Sequence, residues 1–151
     1  LNCACATDAD TATRFAVLLA HLPESQTSQR AQALKAPNDC QDLARLTSRL
    51  APQLRERSEA GMTELGILTL LDEADGWRRQ ERFVRLLTAL TCLQPDQLNT
   101  AISLLRESAD VASEVNAREL MARGHKGKAL GEAIRRERLR RIAELTPKPP
   151  H

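Results

Sequence analysis

Residues 122–134 read Ala-Arg-Gly-His-Lys-Gly-Lys-Ala-Leu-Gly-Glu-Ala-Ile. This stretch predicts the end of one helix, a tight turn with two glycines, and the start of a long second helix. Gly124 stands where a helix C-terminus favours a residue with positive φ. Gly127 precedes the second helix and lets the backbone come close to another group. We therefore expect two helices joined by a glycine turn.

The same turn is basic. Lys126 and Lys128 flank the start of the second helix, whose free N–H groups and dipole favour an anion. The helix then carries five arginines: Arg135, Arg136, Arg138, Arg140 and Arg141. On a helical wheel its apolar side is interrupted by Arg138, whereas Arg136 and Arg140 point away from that side. A phosphate-binding element is one interpretation; a plain tight turn followed by a solvated basic face is the other.

The composition indicates an aliphatic helical protein. The chain has 151 residues, 2% aromatic residues, no tyrosine and a formal net charge of +2. Its core must therefore be built from Leu, Ile, Val and Ala, and the length allows one core or two small ones. No apolar run is long enough to span a membrane, so we expect a cytoplasmic protein with no membrane partner. The small net charge is not that of a nucleic-acid-binding protein as a whole.

Apolar residues recur at helical spacing in every segment, and none shows a sustained period of two. We predict an all-α fold, an irregular bundle of about seven or eight helices without a sheet. Asp10 and Thr63 are expected N-caps, and Asn116 with Glu119 resembles a capping box. Residues 24–36 are expected to form a loop with a short helix, and Pro52 to end or kink its helix. Apolar stripes that we expect in the core include Phe15, Leu18, Leu19 and Leu22; Cys40, Leu43, Leu46, Thr47 and Leu50; Leu65, Leu68 and Leu71; Phe83, Leu86, Leu87 and Leu90; and Leu98, Ile102, Leu105, Ala109 and Ala112.

The four cysteines lack the paired spacing of a structural zinc site. They are Cys3, Cys5, Cys40 and Cys92, and we expect reduced thiols. The chain begins at Leu1 rather than Met, so we expect a fragment of a longer protein.

Several motifs together resemble a known family. Gly-His-Lys-Gly at 124–127, followed by an Arg-rich helix, is similar to the C-terminal signature of bacterial tRNA nucleotidyltransferases, the CCA-adding enzymes. His125 replaces the usual aromatic residue of that signature. Further matches occur in the family's order: Arg-Phe-Ala at 14–16, Pro-Asn with Asp-Leu-Ala-Arg-Leu at 37–46, and Leu-Asp with Arg-Arg and Glu-Arg-Phe at 71–83.

The resemblance implies the C-terminal portion of such an enzyme. Residues 1–60 would be a degenerate HD-like helical segment and residues 61–151 a tRNA-binding body and tail, with one continuous domain as the alternative. The catalytic head of the family, with its Mg²⁺-binding carboxylates and its CTP/ATP site, has no counterpart here. We therefore expect no catalytic residue, no metal ligand and no cofactor in this chain. The Asp-Ala-Asp at 8–10 is interpreted as a helix cap and not as a carboxylate pair.

The alignment of Arg-Phe-Ala places the family's His-Asp dyad on Ala20-His21. Metal phosphohydrolases of that type need the adjacent pair and further histidines, and the chain contains only three histidines. We interpret the segment as a scaffold without hydrolase activity.

Transfer RNA is the partner that the resemblance implies, held by its backbone at the acceptor and TΨC arms. The expected RNA-binding residues are Arg123, Lys126, Gly127, Lys128, Arg136 and Arg140, with a second basic cluster of Arg78, Arg79 and Arg82 around Trp77. In that cluster the alternative is salt bridging at a helix start with Asp72, Asp75 or Glu81, and Trp77 is expected to pack and not to stack on a base. A helical interaction module, acting as a homodimer or with another protein and without RNA, is the competing function. A degenerate phosphohydrolase is a third.

Overall fold

A computed structural model describes residues 10–93 and 95–146, with only the backbone of residues 95–97. Within these ranges the chain forms eight helices and no strand. They are α1 (Thr11–Leu19), α2 (Glu24–Ala33), α3 (Asn38–Ala60), α4 (Glu64–Ala74), α5 (Gln80–Leu93), α6 (Pro95–Ser113), α7 (Ala117–Ala122) and α8 (Gly127–Leu145). The predicted all-α class is confirmed.

The helix starts follow local side-chain chemistry. Asp10 accepts a hydrogen bond from the backbone N–H of Thr13, and Thr63 accepts one from that of Gly66, as predicted. Asn116 also caps its helix, but it accepts from the N–H of Arg118, one residue earlier than a capping box requires. These caps fix where α1, α4 and α7 begin.

One expectation about the first half of the chain was wrong, and another was wrong in part, since Pro52 does not end its helix. Glu24–Ala33 is a regular helix and not a loop with a short helix, because Thr27 and Ala31 are buried against the rest of the fold. The helix of Asn38–Ala60 continues through Pro52. Burial of Ala51 and Leu54 on either side of the proline holds the second half of α3 in place despite the lost N–H donor.

Helix α3 is the centre of the bundle. It packs against α1, α2, α4, α5 and α6, while α8 packs against α4, α6 and α7. One cluster of buried side chains extends from Ala12 to Ile142 and is almost entirely aliphatic. The predicted core stripes of α3, α5 and α6 are confirmed, apart from Ala109, which is partly buried. Leu18 and Leu65 are exposed and do not belong to the core.

Among the cysteines described, Cys40 is buried and free, and burial raises the pKa of its thiol. Cys92 is disulfide-bonded, which contradicts the expectation of a reduced thiol there. Cys3, Cys5 and Asp8 lie outside the described residues. No helix in the described ranges is both long and apolar enough to cross a bilayer.

Candidate nucleic-acid interface

The turn between α7 and α8 has the geometry that its two glycines predict. Gly124 has a φ of 98°, its N–H donates to the carbonyl of Met121 at 3.0 Å, and the N–H of His125 donates to that of Leu120 at 3.2 Å. These two bonds form a Schellman motif, which closes α7. Gly127 also has a positive φ, 58°, and a Cβ there would meet only open space. The positive φ gives a conformational reason for a glycine here, and the open space leaves room for the expected approach of another group to the backbone.

Helix α8 begins without a side-chain cap. Lys126 occupies the N-cap position in an extended conformation and makes no capping hydrogen bond. The N–H groups of the first turn, together with the helix dipole, therefore provide a partial positive charge. Lys126 and Lys128 are exposed on either side of Gly127, and Arg123 is exposed just before the turn.

Four exposed cations near this turn and along α8 are not engaged in ion pairs. Across the described part of the chain, no carboxylate pairs with Arg123, Lys126, Lys128 or Arg136. We call these four residues the open cations. Because no described side chain pairs with them, they are available to an external anion.

The other arginines of α8 contact groups within the fold. Arg135 Nη1 lies 2.9 Å from Asp72 Oδ2, and Arg140 pairs with Glu137 at 2.6 Å and Glu144 at 2.7 Å. Arg141 contacts Glu137, Glu114 and the carbonyl oxygen of Val111. Arg140 is exposed, as predicted, but an RNA phosphate would have to compete with two carboxylates for it.

Glu137 lies at the centre of this carboxylate–arginine network. A hydrogen bond from Arg140 is the main cause that lowers the pKa of Glu137 from 4.5 to about 2, and Arg141 acts in the same direction. Glu137 is therefore ionised at neutral pH. Its charge offsets part of the positive charge of the C-terminal half of α8.

Arg138 explains the break in the apolar side of α8. Its guanidinium carbon lies 4.1 Å from the centroid of the Trp77 ring. Burial lowers the pKa of Arg138, while the nearby charge of Asp72 acts in the opposite direction. The Trp77 indole N–H donates to Asp72 Oδ1 at 3.0 Å. Trp77 is partly buried and packs against the core, as expected.

The second basic cluster is bound to carboxylates within the fold. Arg78 pairs with Asp75 at 3.0 Å, and this hydrogen bond lowers the pKa of Asp75. Arg82 and Arg79 both reach Asp42, at 2.8 Å and 3.3 Å. Arg82 also donates to the carbonyl of Ala74 and its side chain is only 15% exposed. The salt-bridging alternative is thus present at Arg78, while Arg79 and Arg82 use a carboxylate that the sequence did not indicate.

An open groove of about 460 Å³ lies beside this cluster. It is lined by Trp77, Arg78, Arg79, Gln80, Glu81, Arg82 and Arg85. Arg85 is paired with Asp10 at 2.6 Å. These four arginines pair with three carboxylates, those of Asp10, Asp42 and Asp75, and Glu81 also lines the groove, so positive and negative charges are equal in number here.

The segment aligned with the HD dyad has no metal-binding geometry in what the structure describes. His21 is exposed just after α1. Over the described ranges, no three His, Cys, Asp or Glu side chains form a group that could hold a metal ion.

Sequence reasoning missed the acidic partners of the arginines. Asp72 and Asp42 lie 63 and 40 positions from the arginines they bind, Arg135 and Arg82. No local spacing indicates such pairs. The available signal was that Asp42, Asp72 and Arg82 all lie within the family-like motifs at 37–46 and 71–83.

Fold and site together define an all-α module with an exposed basic turn at the start of its last helix. The relatives it matches carry closely related names. A CCA-adding enzyme of Marinobacter nauticus is 40% identical over 145 residues, which is 95% of this chain and 39% of that enzyme. A multifunctional CCA protein of Pseudomonas putida is 36% identical over 132 residues, 85% of this chain and 35% of the relative. A multifunctional CCA protein of Alkalilimnicola ehrlichii is 37% identical over 120 residues, which is 76% of this chain and 29% of that relative.

The chain is a homologue of the CCA-adding enzymes, as its motifs predicted. It spans about two fifths or less of the length of these relatives, which is consistent with the C-terminal portion of such an enzyme. No protein-family model matches the chain, and no solved structure gives a significant match.

Proposed function

We propose that this chain is the tRNA-binding C-terminal region of a CCA-adding tRNA nucleotidyltransferase. It holds the acceptor and TΨC arms through the sugar-phosphate backbone, while a head outside this sequence uses Mg²⁺ with CTP or ATP to add nucleotides. The observation that carries the proposal is the set of open cations, Arg123, Lys126, Lys128 and Arg136, in a homologue of CCA-adding enzymes.

Backbone recognition suits the chemistry of these residues. Lysine and arginine neutralise phosphates without reading base sequence, and duplex RNA is recognised chiefly by its shape, phosphates and 2′-hydroxyls. The uncapped N-terminus of α8 adds N–H donors of the kind that bind phosphate oxygens. The result is an interface that would accept the common shape of all tRNAs.

The two basic regions contribute unequally under this proposal. Lys126 and Lys128 form no ion pair with the described residues, so phosphate binding there displaces no carboxylate that the structure describes. Arg78, Arg79 and Arg82 form a second proposed contact region, but each must first leave a carboxylate or share it. We therefore assign most of the electrostatic affinity to the turn and less to the second cluster and Arg140.

The test is a salt titration of tRNA binding. If about four phosphates are neutralised, log K falls with log salt at a slope of roughly −3 to −4, with the duplex-DNA coefficient as guide. The double variant Lys126→Ala/Lys128→Ala should flatten the slope by about 2. It should not unfold the chain, because both side chains are exposed.

A matched control removes two exposed cations elsewhere. Arg30→Ala/Lys35→Ala makes the same change in net charge on and just after α2, so it should leave the slope within error of the wild type. Equal slopes for the wild type and the lysine variant would exclude the turn from the interface. Absence of tRNA binding by the wild-type chain would contradict the RNA role and favour the interaction-module hypothesis.

A further inference from the structure

Asp72 lies in the last turn of α4. This position is locally unfavourable for an acid, because the negative end of the helix dipole lies there. Asp72, Glu73 and Asp75 nevertheless follow one another at this helix end. Each of these carboxylates has a basic or N–H partner. Asp75 pairs with Arg78, and Glu73 lies near Arg49. Asp72 accepts from Trp77 and Arg135.

Asp72 differs from these neighbours because its hydrogen bonds link the end of α4 to α8. Its Oδ1 accepts from the Trp77 indole at 3.0 Å and its Oδ2 accepts from Arg135 at 2.9 Å. Trp77 in turn lies under Arg138, one helical turn beyond Arg135. Two successive turns of α8 are thus attached to a single carboxylate and its indole partner. Asp75, by contrast, has Arg78 as its single ion-pair partner among the described residues, three positions along the chain.

We infer that Asp72 is a positioning residue for α8, and that it fixes how the basic turn is presented. This rests on the proposed function for the RNA part, whereas the attachment of α8 stands on the geometry alone. Of the 19 residues of α8, Ala133 and Ile142 are buried and Leu139 is partly buried against the core, while its other apolar side chains are at least partly exposed. The polar contacts of Asp72 therefore add to a limited apolar contact in holding the orientation of α8.

A positioning role for Asp72 predicts a change in tRNA affinity opposite to the change that charge alone would produce. Asp72→Asn removes a negative charge near a proposed anion site, so charge alone would strengthen tRNA binding. Asparagine replaces one of the two carboxylate oxygens by an NH₂ donor, which would face either the Trp77 N–H or the Arg135 guanidinium in place of an acceptor. If Asp72 positions α8, tRNA affinity should instead fall, by about three- to tenfold, since these contacts are half exposed and individually weak.

Asp75→Asn is the matched control. It makes the same change in charge, three residues away, and asparagine tolerates the left-handed conformation of that position, where φ is 52°. It should leave tRNA affinity unchanged or slightly raised. Arg135→Gln should weaken binding like Asp72→Asn, and the double variant should lose no more than either single one.

A second measurement does not need RNA. Amide hydrogen exchange should be several-fold faster along α8 in Asp72→Asn than in wild type and Asp75→Asn, with α3 amides unchanged. Unchanged exchange along α8 would overturn the inference, as would equal acceleration in α3, which would mean general destabilisation. If exchange along α8 is faster in Asp72→Asn but the variant binds tRNA as tightly as wild type, then Asp72 holds α8 without positioning the RNA site. If the wild type binds no tRNA, the proposed function is wrong. The hydrogen-exchange rates of α8 then still test whether Asp72 holds this helix.

Discussion

The guanidinium of Arg138 lies over the indole ring of Trp77, 4.1 Å from its centroid, and joins α8 to the turn that follows α4. A cation above an aromatic face is attracted by the ring quadrupole, and the ring also covers the aliphatic stem of the arginine. An arginine therefore stands on the side of α8 that is otherwise apolar. The pair brings the family-like motif at 71–83 against the basic helix.

Trp77→Ala should destabilise the fold by about 2 kcal/mol, because it removes a partly buried ring and the cation–π contact together. Trp77→Phe keeps a ring under Arg138 and loses only the indole N–H to Asp72, so it should cost about 1 kcal/mol or less. Urea denaturation followed by circular dichroism measures both. Equal losses for the two variants would show that the ring itself contributes nothing.

Glu132 should weaken anion binding at the turn. It is exposed on α8, four residues after Lys128 and four before Arg136, and it has no ion pair within the described ranges. Glu132→Gln should tighten tRNA binding roughly two- to threefold at low salt, with the gain lost at high salt. Glu59→Gln, an equal charge change at an exposed position of α3, is the control and should have no effect.

The stability of the chain should depend on Glu137 in acid. Its pKa of about 2 in the fold lies below the ordinary 4.5, so its contribution is present above about 4.5 and is lost as the pH falls toward 2. Wild type should be more stable than Glu137→Gln at pH 6, and the difference should disappear near pH 2. Urea denaturation across this range measures it. A difference independent of pH would contradict the ion-pair explanation. Glu119→Gln is the control, at an exposed site with no ion pair to a described residue.

Two buried serines should respond to alanine in opposite directions. Ser48 shares a 2.8 Å hydrogen bond with Thr27, so Ser48→Ala should cost about 1–2 kcal/mol by leaving a buried hydroxyl with poorer partners. Ser108 is fully buried and its hydroxyl has no hydrogen-bond partner in the described part of the chain. Ser108→Ala should therefore be neutral or stabilise by about 1 kcal/mol. Chemical denaturation tests the signs, and a loss at Ser108 would reveal a bond that the geometry does not show.

Lys35 occupies a position that favours glycine. Its φ is 51°, its N–H donates to Gln32 and the N–H of Ala36 to Ala31, which is the same helix-ending motif as at Gly124. The side chain is exposed. Lys35→Gly should therefore raise the free energy of unfolding by about 0.5–1 kcal/mol. Lys35→Ala should bring no such gain, and thermal denaturation of both variants would show the difference.

The sequence by itself determined the parts of this protein that depend on near neighbours. The helical class, the caps at Asp10 and Thr63, and the positive φ of Gly124 follow from interactions within about five residues, which local patterns describe well. The exposed state of Lys126 and Lys128 followed from their place in a turn. The relation to CCA-adding enzymes was also present in the motifs.

Only the tertiary structure decided which cations remain open. Arg136 and Arg135 are neighbours of the same type, yet Arg135 is bound by a carboxylate 63 positions away and Arg136 by none in the described residues. Such pairs arise when packing brings distant elements together, as α8 onto α4. The same holds for α3, where burial on both sides of Pro52 outweighs a local helix-breaking preference. Local sequence sets where a helix begins and ends, whereas the availability of its charges depends on what it packs against.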